Sequence, residues 1–235
     1  MVEILLFLFC THVTLACVTI YLHRSQAHRS VVLDHRVAVL MRTWLWLTTG
    51  MITKQWVAVH RKHHRFTDHT GDPHSPKVYG IWRVLFGGAV LYHRAASDQG
   101  MVEQYGTGTP DDWLENKLFT PYSNLGICMW LILLTALFNG WGIVMWLGHM
   151  LWVPLWAAGV VNGLAHYVGY RNFDVKDSSK NLLPWAIVIC GEELHNNHHR
   201  FPASAKLSVR PWEFDLGWAY ICTLERFNLA TVKQS

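Results

Sequence analysis

Long apolar runs are the dominant pattern along this chain. Residues 4–22 are apolar apart from a few threonines and His12, and residues 118–170 contain no Asp, Glu, Lys or Arg. A helix that crosses a bilayer needs about 20 mainly apolar residues. The second run is long enough for two such helices, with a turn at the Phe-Asn-Gly-Trp sequence of residues 138–141. The pattern predicts spans at about 4–22, 122–138 and 141–161.

A further apolar segment, residues 37–59, is also long enough to cross, but it contains Arg42, Lys54 and Gln55. Groups of histidines lie shortly before and shortly after it. A single crossing would leave these groups on opposite sides of the bilayer. If they share a site, the segment must lie along the interface or re-enter the membrane. Residues 182–190 are apolar but too short to span, which predicts a second interfacial segment.

The composition supports a membrane location. Hydrophobic residues make up 51% of the chain and charged residues only 15%, against roughly 25% in typical soluble domains. There are 13 tryptophans, a residue that is enriched at bilayer interfaces. We therefore predict an all-α integral membrane protein that forms a single domain over residues 1–235.

The net charge of +4 is better explained by membrane topology than by binding to nucleic acid. Lys and Arg are dense between Arg24 and Arg94 and again between Arg171 and Lys206. Loops rich in Lys and Arg stay on the cytoplasmic side of a membrane. The regions that carry the histidine groups are therefore predicted to form a cytoplasmic cap on a multi-pass protein.

Histidines are the candidate chemical groups. They fall into three spaced sets: His23 and His28; His60, His63 and His64; and His195, His198 and His199. Positions i, i+3 and i+4 of a helix share a narrow sector, so each H-x-x-H-H motif is expected to direct three imidazoles toward one point. The wider first pair is expected at a fraying helix end, with its two rings toward different metals. Imidazole suits Fe, Zn, Cu and Ni, and eight such groups are too many for one ion. Two metal ions are predicted.

Two alternative roles for these histidines are weaker. Solvated polar loops would account for a lone histidine better than for three spaced sets. A zinc protease is poorly supported because the motif at His60 lacks the glutamate of H-E-x-x-H. Asn162 and His166 lie one helical turn apart at the end of the third predicted span. A polar pair in that position is a functional candidate, with hydrogen bonding in the core as the alternative.

Four motifs, in this order, give the chain a family resemblance. They are HRSQAHR (23–29), WVAVHRKHHRFTDHTGDPHSP (56–76), VNGLAHYVGYRNF (161–173) and GEELHNNHHRFP (191–202). The sequence resembles the membrane fatty acid desaturases, in particular the Δ9 acyl-CoA and acyl-lipid branch that includes stearoyl-CoA desaturase-like enzymes. The resemblance covers residues 15–229 approximately.

The resemblance implies a di-iron centre, and O2 as co-substrate. It places the metal ligands at His23, His28, His60, His63, His64, His166, His195, His198 and His199, with Asn162 contributing through a water. It also implies a kinked tunnel for the acyl chain, with Trp56 near the kink. The implied reaction introduces a cis double bond, at Δ9, into a fatty acyl chain carried on CoA or a membrane lipid. Electrons would come from an external donor such as ferredoxin or cytochrome b5.

Several nearby groups have two possible roles. The acids Glu192, Glu193, Asp68, Asp72 and Asp174 either orient the ligand imidazoles or are solvated loop residues. His74 is expected to support the site without being a tenth ligand. The remaining histidines are expected to be structural or exposed: His12, His35, His69, His93 and His149.

One departure and two alternatives remain open at this stage. Family members usually have another span before the first histidine motif, whereas only 22 residues precede His23 here, as in a short variant or a truncated chain. The nearest alternative function is a fatty acyl or lipid hydroxylase or ketolase on the same histidine scaffold. A non-enzymatic membrane metal-binding protein is the alternative from a different class.

Overall fold

In the computed structural model, which describes residues 1–233, the chain is mostly helical. The helices are α1 (Val2–Cys17, continuing as a π-helical segment Val18–Ala27), α2 (His35–Thr49), α3 (Thr53–Phe66), α4 (Pro76–Tyr79), α5 (Ile81–Ala96), α6 (Gln99–Tyr105), α7 (Ser123–Phe138), α8 (Gly140–Pro154, continuing as a π-helical segment Leu155–Val160), α9 (His195–Arg200) and α10 (Leu216–Arg226). Shorter pieces are a π-helical turn at Glu115–Phe119 and a 3₁₀ turn at Leu164–His166.

Four short strands pair on the polar side of the structure. Strand β1 (Val31–Leu33) is antiparallel to β4 (Ala230–Val232), and β2 (Trp185–Ala186) is parallel to β3 (Phe214–Asp215). The first pair joins the region after α1 to the C-terminal region. The prediction of an interfacial element at residues 182–190 falls on β2 and its flanking turns.

Two helices are long and apolar enough to cross a membrane, Val2–Ala27 and Gly140–His166. Helix α7 is apolar but has only 16 residues. It forms a hairpin with α8 that turns at Asn139, whose φ is 52°, so the turn predicted at residues 138–141 is confirmed. Two of the three expected spans thus have the length and composition of a span, and a crossing by residues 122–138 stays a prediction.

The apolar segment 37–59 does not form one continuous helix, and its placement along the interface or in a re-entrant loop stays a prediction. Helix α2 ends at Thr49 and α3 begins at Thr53, with Gly50 between them at φ 62°. A Cβ atom on Gly50 would lie 2.9 Å from the carbonyl oxygen of Ser123. Both the left-handed backbone and the close approach of α7 therefore require glycine at this break.

The charge of Arg42, which made this segment ambiguous, is buried and paired. Its guanidinium contacts the carboxylate of Asp112 and lies 3.8 Å from Glu115. It also faces the ring of Phe119, 5.6 Å from the ring centroid. Because opposite charges accompany it, the arginine is tolerated inside the structure.

The outer surface of the long helices is apolar. Ile4 of α1, Ile132 and Leu137 of α7, and Trp141 and Leu151 of α8 are each more than 60% exposed. Water-soluble monomers rarely expose contiguous apolar patches of this kind. The surface is therefore suited to contact with lipid.

A buried ion pair links the end of the first long helix to α10. Arg24 and Asp215 are both fully enclosed, with Nη2 of Arg24 3.0 Å from Oδ1 of Asp215. The carboxylate of Asp215 also accepts hydrogen bonds from the backbone N–H groups of Trp218 and Leu207. The first of these caps α10. A Cβ on Gly217 would lie 2.5 Å from Nη1 of Arg24, so the pair also depends on this glycine.

We expect the Asp215→Ala variant to be strongly destabilised. The substitution removes a helix cap and leaves the buried guanidinium of Arg24 without its counter-charge, which typically costs about 3–5 kcal/mol. Thermal unfolding in detergent measures the change. Asp174→Asn is the matched control, because Asp174 is solvent-exposed and lies 3.7 Å from the partly exposed Arg171, so no measurable change is expected. Equal unfolding temperatures for both variants would contradict the assigned role.

Candidate metal centre

The nine predicted ligand histidines lie in two adjacent clusters. Cluster A contains His23, His28, His60, His64 and His198, and cluster B contains His63, His166, His195 and His199. Within each cluster, one ring nitrogen per residue lies within 4.8 Å of every other. The residues come from α1, α3, α9 and the 3₁₀ turn after α8, so the site exists only once these four elements meet.

Each H-x-x-H-H motif is divided between the clusters, contrary to the expectation of one common point. In α3, His60 and His64 belong to cluster A and His63 to cluster B. In α9 the division is reversed, with His198 in cluster A. The reason is the helical repeat of about 100° per residue: positions i and i+4 differ by about 40°, whereas i+3 lies about 100° from i+4. The middle histidine therefore reaches the neighbouring cluster.

The expectation that His23 and His28 serve different metals is also wrong. Both rings lie in cluster A, with their centroids 4.7 Å apart. The π-helical winding of residues 18–27 explains this, because it changes the angle between positions i and i+5. A π-helix has i→i+5 hydrogen bonds, which place residues five apart on one face. Indeed the N–H of His28 donates to the carbonyl oxygen of His23.

Four carboxylates hold the outward nitrogen of four histidines. Their Nδ1···O distances are 2.8 Å for His23–Glu192, 3.0 Å for His63–Asp72, 3.1 Å for His166–Asp68 and 3.1 Å for His199–Asp177. A carboxylate only accepts hydrogen bonds, so Nδ1 of each ring carries the proton. In the neutral tautomer, Nε2 is then left with a lone pair.

These lone pairs face one another. In cluster B, Nε2 of His195 lies 3.0 Å from Nε2 of His166 and 3.1 Å from Nε2 of His199. His166 and His199 both hold their proton on Nδ1, so at most one of these two close contacts can be a hydrogen bond donated by His195. Nε2 of His63 has no hydrogen-bond partner among the described residues. Converging acceptors of this kind fit a cation that accepts several lone pairs, and imidazole is a ligand for Fe and Zn.

Cluster A has the same character. Nε2 of His198 lies 2.9 Å from Nε2 of His64 and 3.1 Å from Nε2 of His23, and Nε2 of His28 lies 2.8 Å from Nε2 of His60. All five residues converge without a carboxylate among the facing atoms. Both clusters are therefore able to hold a metal ion.

The electrostatics disfavour the charged form of six of these rings. Burial, and after it the neighbouring histidines, lower the pKa well below the usual value for six rings outside the membrane helices: His28, His60, His64, His195, His198 and His199. Burial alone would raise the pKa of Asp72, but His63 and His74 lower it to about 2. Likewise His23 and Arg24 outweigh burial and lower the pKa of Glu192. Neutral imidazoles and ionised carboxylates are the forms that metal binding requires.

The five acids of the sequence analysis have different outcomes. Asp68, Asp72 and Glu192 each bind a ring of the clusters, as the orienting role requires. Glu193 instead accepts hydrogen bonds from the backbone N–H groups of Ile189 and Gly191, and burial raises its pKa. Asp174 is a solvated loop residue.

Asp177 was missed by the sequence analysis although it holds His199. It lies in a polar loop 18 residues before His195, where no helical spacing marks it.

Asparagines between the histidines lock α9 in place, which the sequence analysis also missed. The side-chain oxygen of Asn181 accepts hydrogen bonds from the backbone N–H groups of Asn196 and Asn197 at 2.9 and 3.2 Å. The amide of Asn197 donates to the carboxylate of Glu213 at 2.8 Å. All four of these residues are buried. Such a network can fix the direction of a short helix that has little packing of its own.

A cavity of about 500 Å³ lies among the long helices and reaches the histidines of cluster A. His23, His60 and Asn162 lie in its wall, and most of the rest is apolar, including Leu15, Ile127 and Val153. Ligand pockets of about 300–1,000 Å³ with mainly apolar walls are typical of sites that enclose a small molecule. The cavity therefore offers an apolar compartment that ends at cluster A.

Trp56 and Asn162 both border this cavity. The ring of Trp56 stacks on His60, with centroids 5.0 Å apart and an interplanar angle of 12°. Asn162 is half-buried and makes no direct contact with a histidine of either cluster that qualifies as a hydrogen bond. A role for Asn162 through a water stays a prediction.

The other histidines lie at the edge of the site or away from it. The ring of His74 is buried 4.6 Å from that of His63, and its backbone N–H donates to Asp72. His12 bonds the hydroxyl of Tyr220 at 2.8 Å, and His149 bonds that of Thr14 at 3.2 Å. His35, His69 and His93 are exposed, although His93 also borders the cavity.

Comparison with known proteins identifies a family. The fatty acid desaturase model matches residues 2–221. The chain is 31% identical to Delta-9 acyl-lipid desaturase 2 of Arabidopsis thaliana over 228 residues, 91% of this chain and 69% of that protein. It is 32% identical to sn-1 stearoyl-lipid 9-desaturase of Anabaena variabilis over 75% of this chain and 63% of that protein. Hex-5-enoyl-[acyl-carrier protein] acetylenase of Moorena producens (strain JHB) is 29% identical over 88% of this chain and 69% of that protein.

We expect Asp72→Asn to weaken metal binding at cluster B. The amide no longer supplies the negative charge that keeps the proton of His63 on Nδ1, and loss of such a partner typically costs about 10–100-fold in metal affinity. Iron retained by the purified protein against increasing chelator measures the loss. Asp174→Asn changes the same atoms on an exposed loop and should retain iron as the unaltered chain does. Equal retention in both variants would rule out this role of Asp72.

Acid should release the metal and destabilise the fold already at pH values higher than those at which carboxylates titrate. The unfolded histidines have a pKa of about 6.5, whereas the six buried rings named above have lowered values. As the pH falls through about 6.5, the unfolded chain binds protons that the folded chain does not, and stability falls. The stability due to Asp72 is lost only at lower pH, toward its folded pKa of about 2. Iron content and melting temperature measured between pH 7 and pH 4 test this; full retention near pH 4 would contradict it.

Proposed function

Because the chain belongs to the fatty acid desaturase family, we propose that it introduces a cis double bond at the ninth carbon of a fatty acyl chain. Membership in the family makes the protein an oxidoreductase of lipid metabolism. The observation that carries the proposal is the apolar cavity that ends at the histidines of cluster A. Two relatives whose names specify the ninth position support the choice of carbon.

We propose that clusters A and B hold one iron ion each, with Asn162 contributing to the centre through a water. Desaturases generally use a di-iron centre, and the donor set fits it: nine imidazoles offer ring nitrogens, and four carboxylates lie behind them. Four negative charges balance two divalent cations. Bound iron would supply the oxidising power from O2 that no amino-acid side chain has.

The residues of the chain contribute positioning and protection. The mainly apolar wall keeps water away from the substrate carbons next to cluster A. Trp56, stacked on His60, narrows the cavity beside the cluster and is proposed to set the bend of the acyl chain. Which carbons react then follows from how far the chain inserts, which is a positioning effect.

In the proposed reaction, O2 accepts four electrons, two from the substrate and two from the donor. Two adjacent methylenes lose two hydrogens with their electrons, and the carbon–carbon bond becomes a double bond. Two further electrons from the donor and two protons complete the reduction of O2 to two waters. The proposed substrate is an acyl-CoA or acyl-lipid, and the proposed donor is ferredoxin, cytochrome b5 or a similar carrier.

We propose that α1, α7 and α8 all cross the bilayer and that both histidine clusters lie on the cytoplasmic side. The exposed apolar side chains of the three helices support the crossing. The density of Lys and Arg in the regions that carry the clusters supports the orientation.

Oxygen insertion is the competing outcome, because cleavage of a C–H bond can also lead to a hydroxylated or ketonic product. One relative is named as an acetylenase, so proteins similar to this chain are not all named for the formation of a single double bond. The products therefore decide between desaturase and hydroxylase or ketolase.

We expect host membranes that contain the chain to gain an unsaturated fatty acid. His198→Ala should abolish the product, because His198 contacts both His23 and His64 in cluster A. His35→Ala is the matched control, since His35 is exposed at the start of α2, and full product formation is expected. Fatty acid profiles after co-expression with ferredoxin or cytochrome b5 give the product and the position of its double bond. A hydroxylated product would assign the competing activity, and iron binding without any product would favour a metal-binding protein.

A further inference from the structure

A cluster of arginines and phenylalanines covers the outer side of α9. The rings of Phe173 and Phe201 meet edge to face, with centroids 5.1 Å apart. The guanidinium of Arg210 lies 5.9 Å from the Phe173 centroid, and that of Arg200 lies 5.5 Å from the Phe201 centroid. Arg171 adjoins them in the same loop as Phe173. We call these five residues the arginine–phenylalanine surface.

The solvent-exposed charges of this region are almost all positive. Between residues 171 and 213 the exposed charged side chains are Arg171, Asp174, Lys176, Arg200, Lys206 and Arg210, of which only Asp174 is acidic. The four remaining acids of the region are turned inward: Asp177 holds His199, Glu192 holds His23, Glu213 binds Asn197, and Glu193 accepts from the backbone N–H of Ile189. The region therefore presents a net positive charge around two partly exposed aromatic rings. Arginine and aromatic residues are enriched at protein interfaces.

The surface is attached directly to the metal centre. Arg200 and Phe201 directly follow His198 and His199 in the chain, which places them within about one helical turn of these two histidines. The side chain of Asn196 bonds the backbone N–H of Phe173 at 2.9 Å and its carbonyl oxygen at 3.0 Å. The loop and the helix thus form one rigid face directly outside both clusters.

We propose that the arginine–phenylalanine surface docks a small acidic one-electron carrier protein. The proposal rests on the proposed desaturation, each turnover of which consumes two electrons that arrive singly from such a donor. The positive charge attracts an acidic carrier and orients it, and rings flanked by guanidinium groups provide a flat, partly apolar contact. The short path through α9 brings the carrier close to both clusters without opening the acyl cavity.

Steady-state desaturation with reduced plant-type ferredoxin, and separately with the soluble domain of cytochrome b5, tests the docking surface. We expect Arg200→Glu and Arg210→Glu to raise the KM for the donor by roughly tenfold at low salt, with kcat at saturating donor and the KM for the acyl substrate unchanged. The difference should shrink at about 0.5 M salt, because ions screen exposed charges. Lys117→Glu is the matched control, since it reverses an exposed charge outside this region and should leave the donor KM unaltered.

A single turnover without the carrier separates the two proposals. Enzyme reduced beforehand with dithionite and then given O2 and acyl substrate should form the same product in the unaltered chain and in both variants. Failure of the unaltered chain in this assay would count against the proposed function itself. Normal single turnovers with an unchanged donor KM in both variants would overturn the docking surface alone. A raised KM for acyl-CoA, or weaker binding to anionic lipid vesicles with an unchanged donor KM, would likewise overturn it in favour of a phosphate-binding role.

Discussion

The main physical constraint on this structure is a buried region in which nine imidazoles face one another. Such a region is unstable if the rings are charged, because like charges would repel at a few ångströms, and it is unfavourable if the rings are neutral but their lone pairs have no partner. Burial disfavours the charged rings, and the lone pairs converge on two points where a cation would satisfy them. Four carboxylates behind the rings supply negative charge that favours a cation at those points: Asp68, Asp72, Asp177 and Glu192.

The two H-x-x-H-H motifs, in α3 and α9, each contribute their middle histidine to the cluster that holds the other two histidines of the opposite motif. His63 of α3 lies in cluster B, whereas His60 and His64 lie in cluster A. His198 of α9 lies in cluster A, whereas His195 and His199 lie in cluster B. Each helix therefore contributes histidines to both clusters. A helix as short as α9 could not hold this geometry alone, and the network of Asn181, Asn197 and Glu213 fixes its position.

The same arrangement separates three environments. The outer faces of the long helices are apolar and suited to lipid, the cavity among them is mainly apolar, and the outer side of α9 is positively charged and open to water. An acyl chain and an electron carrier, as proposed, would thus approach the clusters from different sides. Neither would need to displace the other, which suits a reaction that uses both within one turnover.

The sequence by itself determined the apolar runs, the turn at residues 138–141 and the identity of the histidines that cluster, because hydrophobic length and residue spacing are local properties. It also indicated three of the acids near the rings, since these lie within a few residues of the motifs. Only the tertiary structure decided that His63 and His198 change clusters, that His23 and His28 share one, that Asp177 holds His199 and that Arg24 pairs with Asp215. Those outcomes depend on the π-helical winding of residues 18–27 and on contacts between elements far apart in the chain, and neither leaves a periodic signal in the sequence.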